Sequence, residues 1–190
     1  MTDLELIQTD ETARDLAAAA AERETDLAAA RSAVEAAQIG LQHTYDRRTE
    51  LREMGARLKA DGDAAQLAAL DAVVDGAAVS DQVKRLAAQQ AQLQFIAAAV
   101  THSQARIRTA QRTVLEAEMC EHLARANQLE ALGELRCRLR ALHLAPLVEG
   151  EGTVIVEGGN TAIIFQQAEQ ARRLAEDCAR RLDTAEGLNV

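Results

Sequence analysis

The sequence predicts a mainly all-α protein, in which two long helices form an elongated, antiparallel coiled-coil hairpin that is followed by a short β-hairpin and a closing helix. An apolar residue returns every seven positions along much of residues 80–144, and a second series follows three positions behind it. This is the a/d pattern of a helix that packs along another helix. Aromatic residues make up only 2% of the 190 residues, and much of the 48% apolar content is alanine. Thin helical seams are therefore expected in place of a compact core.

The first long helix is predicted over about residues 9–59. Thr9 or Asp10 is a suitable N-cap, because a short side-chain oxygen can accept a hydrogen bond from the first turn. Asp61-Gly62-Asp63 is expected to break the helix, so residues 60–79 are predicted to form a helical elbow. The apolar stripe of this helix comprises Leu6, Ala13, Ala20, Leu27, Val34 and Leu41.

The second long helix is predicted over about residues 80–144, and Pro146 is expected to end it. An elbow centred near residue 69 would place Leu51 opposite Ala87. The second helix would then extend past the start of the first and leave its last leucines without cover. The two apolar series of the second helix comprise Leu86, Leu93, Val100, Ile107 and Val114, and Gln89, Ile96, Ser103, Ala110 and Ala117.

After Pro146 the apolar period changes from about 3.5 residues to about 2. Thr153–Val156 and Thr161–Phe165 are rich in β-branched residues, and the Glu157-Gly158-Gly159-Asn160 segment between them is typical of a tight turn. These runs predict a β-hairpin.

A last helix is predicted over about residues 166–185. Its apolar stripe suits it to fold back on the end of the second long helix, in the same chain or in a neighbouring one. The predicted domains are accordingly a long hairpin of residues 1–145 and a C-terminal unit of residues 146–190. The stripe of the last helix comprises Ile164, Ala168, Ala171, Ala175, Cys178, Leu182 and Ala185.

Charge and cysteine content limit the classes of partner. The net charge of −9 disfavours nucleic acid, because the chain as a whole would repel phosphate. Three widely spaced cysteines without a CxxC motif suit a reducing compartment. The acidic N-terminus lacks the apolar core of a signal peptide, and no stretch is apolar enough to span a membrane. The expected location is the cytoplasm, or the virion if the chain is phage-encoded.

The densest group of potential metal ligands surrounds Glu118 and His122, which have i,i+4 spacing on a helix. A di-iron bundle requires Glu-x-x-His motifs on two helices, and this chain has none. A polar helix face is therefore the preferred interpretation of these residues. No arrangement typical of nucleophilic catalysis is recoverable from spacing, so we expect no catalytic residue, metal or cofactor.

The stretch Leu86–Ala105 contains no charged residue. A helix that touches one partner keeps charges on its other faces, so this stretch is expected to contact more than one helix. The chain has few other helices, which indicates a second subunit as the extra partner. The predicted oligomer or partner interface comprises Leu86, Leu93, Phe95, Ile96, Val100 and Ile107.

These observations favour a non-enzymatic structural protein, an oligomerising coiled-coil scaffold, spacer or assembly part of which a phage virion component is one example. The alternative is an adaptor or chaperone-like module that holds another protein through the hairpin tip or the charge-free stretch. A metalloprotein centred on Glu118 and His122 is the less favoured third hypothesis.

Overall fold

A computed structural model describes residues 2–75, 80–148 and 159–187, and nearly all of them are helical. The helices are α1 (Asp3–Thr9), α2 (Glu11–Val74), α3 (Ser80–Val148) and α4 (Gly159–Gly187). The all-α prediction is confirmed for this part of the chain, which contains no strand. Helix α3 continues through Pro146 to Val148, a few residues past its predicted end.

The chain divides into two compact units. The first comprises residues 1–37 and 112–190, and therefore contains α1, the start of α2, the second part of α3, and α4. The second comprises residues 38–111, from the rest of α2 and the first part of α3. The sequence-based division at residue 145 stays a prediction.

In the first unit, α1 begins at a capping box, in which the Thr2 hydroxyl accepts a hydrogen bond from the Glu5 N–H and the Glu5 carboxylate accepts one from the Thr2 N–H. Leu6 and Ala13 then pack against Leu139 of α3. Leu135, Leu139 and Leu142, near the end of α3, therefore pack with residues of α1 and the start of α2. The partly buried residues around this cluster are Ile7, Leu135 and Leu142.

Asp10 lies between α1 and α2 in an extended conformation and caps α2. Its Oδ1 accepts a hydrogen bond of 2.8 Å from the N–H of Ala13. The guanidinium of Arg138, on α3, donates to both Asp10 oxygens at 3.1 and 2.6 Å. These two sets of donors, with Arg138 the larger influence, hold the pKa of the Asp10 carboxyl below its ordinary value. One carboxylate thus joins the cap of α2 to α3.

Helix α4 runs antiparallel to α3 in the same unit. The Phe165 ring lies against Gly133, where an added Cβ would be 2.7 Å from Cζ of the ring. Further along both helices, Arg172 donates a hydrogen bond of 2.6 Å to Glu130. The predicted stripe faces inward, because Ala168, Ala171, Ala175 and Cys178 are buried and Ile164 and Leu182 are half-buried.

The predicted β-hairpin is wrong in its second strand, because Thr161–Phe165 form part of α4. This helix begins with Gly159 and Asn160, which the sequence predicts to lie in the turn. The packing of Phe165 on Gly133 gives this segment a tertiary contact that overrides the β propensity of its residues. The predicted first strand, Thr153–Val156, lies outside the described residues.

In the second unit, α2 and α3 form an antiparallel pair. Gly55 lies against Ile96, with 3.2 Å between the position of an added Cβ and the Ile96 Cγ2, and Gly62 lies against Gln89. The predicted break at residues 61–63 is therefore wrong, and α2 continues to Val74. Both glycines are seam positions at seven-residue spacing from Leu6, so they serve as contact points between helices.

The pairing register also differs from the predicted one. An elbow centred at residue 69 would pair residue 55 with residue 83, whereas Gly55 contacts Ile96, thirteen positions further along α3. The reason is that α2 ends at Val74, so the connection to α3 lies later in the chain. The shift is close to two heptads and therefore keeps nearly the same faces together.

Gly133→Ala is expected to destabilise the first unit. The new methyl group would displace the Phe165 ring, and overpacking of this kind costs about 1–3 kcal/mol. Gly40→Ala is the matched control, because nothing lies within 4 Å of its added Cβ. That variant should gain up to about 1 kcal/mol from helix propensity. Thermal melts that show both variants stabilised would contradict the Phe165–Gly133 contact.

Asp10→Asn is expected to lower the melting temperature at pH 7. Asparagine still caps a helix, so the change removes mainly the charge that faces Arg138. The pKa of Asp10 is lower in the folded than in the unfolded chain, so its stabilisation is present above about pH 4 and disappears as the pH falls further. The difference from wild type should shrink over the same range. Asp15→Asn, at an exposed position of α2, is the matched control and should leave the melting temperature at pH 7 nearly unchanged.

Candidate interaction surface

The six residues of the predicted interface fall into two groups. Ile107 is buried in the seam between α2 and α3, with 2% of its surface exposed. Phe95 is 76% exposed and belongs to the outer surface of α3. The other four, Leu86, Leu93, Ile96 and Val100, are half-buried at seam positions. Five of the six therefore lie on the face of α3 that packs against α2, and Phe95 alone among them is mostly exposed.

Phe95 stands beside small side chains on the charge-free stretch. At 100° per residue, Ala88 and Ala91 precede it, and Ala98 follows it, within about 60° of its direction. All three alanines are exposed. Gln92, also exposed, borders Phe95 on the other side. The surface therefore has one large apolar side chain, Phe95, beside a flat apolar area formed by the three alanines.

Met54 of α2 extends this surface. Gly55 contacts Ile96, and Met54 and Phe95 each precede one member of that contact. In an antiparallel helix pair, the residues one position before two contacting residues point to the same side. Met54 is 46% exposed, so both side chains are accessible there. We call the surface formed by Met54, Phe95 and the three alanines the Met54–Phe95 face.

The α2 half of this surface is charged. A groove of about 480 Å³ surrounds Met54 and is open, since all of its lining residues belong to one helix. Arg57 lies 3.7 Å from Glu53 across one turn. The α2 half thus differs from the α3 half, which carries no charge between residues 86 and 105. The lining residues are Glu50, Glu53, Met54, Arg57, Leu58 and Asp61.

A second exposed apolar group lies where α2 ends and α3 begins. Three of its members, Leu67, Leu70 and Val74, recur at helical spacing on one side of α2. Groups of exposed apolar side chains are found at interaction sites in soluble proteins. We call this group the tip patch, and it comprises Leu67, Leu70, Val73, Val74 and Val83.

The residues near Glu118 and His122 are engaged in separate contacts. Glu121 lies 3.5 Å from Arg31 of α2, and Glu116 accepts a hydrogen bond of 2.8 Å from Arg112. Among the residues that the structure describes, no three His, Cys, Asp or Glu side chains are grouped to hold a metal ion. Cys178 is buried opposite this region, and burial raises the pKa of its thiol, with the Glu118 charge adding to the effect.

None of the described helices combines the length and apolar character needed to cross a bilayer. No protein-family model, curated protein or solved structure matches this chain.

Substitutions at the seam and at the outer surface should differ in how much they lower the stability of the isolated chain. Ile107→Ala is expected to cost about 2–4 kcal/mol, because it removes buried atoms at a packed position. Phe95→Ala should change the stability of the isolated chain by about 0.5 kcal/mol or less, because its side chain is mostly exposed. Urea unfolding at a protein concentration low enough to keep the chain monomeric measures both values. Equal losses would contradict the assignment of Phe95 to the outer surface.

Proposed function

We propose that the chain is a structural protein that assembles with copies of itself through long helices packed as coiled coils. The observation that most supports this proposal is the thin core of the second unit. Of its described residues, only Ala69, Ser103 and Ile107 are buried, whereas Phe95 is 76% exposed. Long helices gain most of their stability in proteins by packing an apolar face. A further copy would supply that packing and cover Phe95.

The role proposed is that of a scaffold, spacer or assembly part without catalytic chemistry. Helices of 64 and 69 residues suit this role, because long helices can pack along one another as the strands of a coiled-coil assembly. A phage virion component is one example of the class. The proposed location follows from that choice: the virion for a phage-encoded chain, the cytoplasm otherwise.

A second candidate function is supported by the tip patch. Exposed aliphatic side chains at the end of a helical pair suit an adaptor or chaperone-like module that holds an apolar segment of another protein. A monomeric wild type that keeps an unfolded protein in solution, and loses this ability on Leu67→Glu, would favour it over self-assembly.

Size-exclusion chromatography with light scattering tests the primary proposal. The wild-type chain at tens of micromolar is expected to have a mass that is an integer multiple of the chain mass, and to shift toward the monomer on dilution. High salt should not dissociate the assembly, because its central contacts are proposed to be apolar and salt screens mainly exposed charges. A monomer throughout this concentration range would refute self-assembly.

A further inference from the structure

We propose that the Met54–Phe95 face binds the same face of a second copy, so that two α2–α3 pairs form an antiparallel four-helix bundle in which Phe95 of each chain packs on Met54 of the other. This inference rests on the proposed self-assembly and specifies its surface and partner. It concerns residues 38–111 only, which form one compact unit.

The symmetry of the arrangement follows from the order of the helices. A twofold axis parallel to the helices keeps each residue at its own height and places α3 of one copy beside α2 of the other. Met54 and Phe95 lie at nearly the same height, because Gly55 contacts Ile96. Phe95 therefore meets Met54 of the second copy, and Met54 meets Phe95, as an isologous contact requires. Every pair of neighbouring helices is then antiparallel.

The two halves of the face are complementary in shape and chemistry. A methionine side chain adapts to an irregular surface and makes favourable contacts with an aromatic ring. The exposed alanines beside Phe95 leave room for the α2 helix of the second copy to approach. One large side chain from each copy thus fills the shallow region that the other presents.

Charge favours the pairing of α3 with α2 over the pairing of α3 with α3. At 100° per residue, Lys84 and Arg106 lie on the Phe95 side of α3, one at each end of the charge-free stretch. An antiparallel α3–α3 contact centred on Phe95 would bring these two cations together. In the α3–α2 pairing, Arg106 lies roughly 7 Å along the axis from Glu50 of the second copy, within reach of an arginine side chain. Glu50 also accepts a hydrogen bond of 2.8 Å from Arg47 of its own chain, so Arg106 would join an existing ion pair.

The available area is adequate for a specific dimer. Residues 84–106 of α3 span about 33 Å, and two adjacent helices are about 20 Å wide, which gives roughly 650 Å² per copy. Specific interfaces bury about 800 Å² per partner, with the smaller ones near 600 Å².

A mixing experiment tests the contact. Phe95→Glu and Met54→Arg are each expected to weaken the dimer at least tenfold, measured by sedimentation of each variant alone. An equimolar mixture should return to the dimer mass, because the mixed dimer keeps one Phe95–Met54 contact and gains one Glu–Arg pair. A contact within one chain could not produce this recovery, since each mutant chain carries only one of the two introduced charges.

Leu67→Glu is the matched control. Leu67 is 64% exposed and lies about 140° round α2 from Met54, so this variant should keep the wild-type mass. Circular dichroism confirms that each variant is folded. Single variants that retain the dimer, a mixture that stays monomeric, or dissociation by Leu67→Glu would each overturn the face while leaving self-assembly intact. A monomeric wild type would overturn both proposals.

Discussion

The close approach of helices along small residues is the constraint on which the rest of the structure depends. In the first unit, Ala13, Ala126 and Ala168 are among the most completely buried side chains, and Gly133 admits the Phe165 ring. In the second, Gly55 and Gly62 face α3 at the seam. Because small side chains let helix backbones approach, the packed surface is a narrow stripe. Most of each helix circumference is then left to solvent or to a partner.

A narrow stripe of small residues contributes limited hydrophobic free energy, since burial scales with apolar area. Polar contacts between helices therefore gain importance in specifying which residues face each other. In the first unit, Arg138 joins α3 to the Asp10 cap. In the second, Arg48 donates to Gln104 and Gln111 donates to Tyr45. Such contacts require one register, whereas alanine contacts tolerate several.

The parts of the fold that sequence could predict are those fixed by periodicity. The Leu6 stripe is buried from Leu6 to Val34, as its seven-residue spacing indicates. Periodicity could not fix the register, because a shift near two heptads keeps the same faces in contact. It also gave no reason to expect a glycine at the seam, although Gly55 and Gly62 continue the Leu6 series. The β-strand predicted over Thr161–Phe165 was wrong because local propensity does not include the tertiary contact of Phe165 with Gly133.

The sequence could predict only part of the candidate surface. The lack of charge over residues 86–105 distinguishes that stretch of α3, and Phe95 within it is exposed. Apolar character alone could not separate seam residues such as Ile107 from outward ones. Met54 was missed because its relation to Phe95 depends on the register between α2 and α3.

The second unit gives the physical reason to expect a partner. Its seam contains Arg48 and Gln89, and each has a buried polar side-chain atom without a hydrogen-bond partner among the described residues. Such atoms reduce stability, because they lose water without replacing its hydrogen bonds. The same unit leaves Phe95, Leu67 and Val74 exposed. Burial of these apolar side chains by a partner would add hydrophobic stabilisation to the limited amount that the seam supplies. A second copy on the Met54–Phe95 face would bury the aromatic ring that the pair itself does not cover.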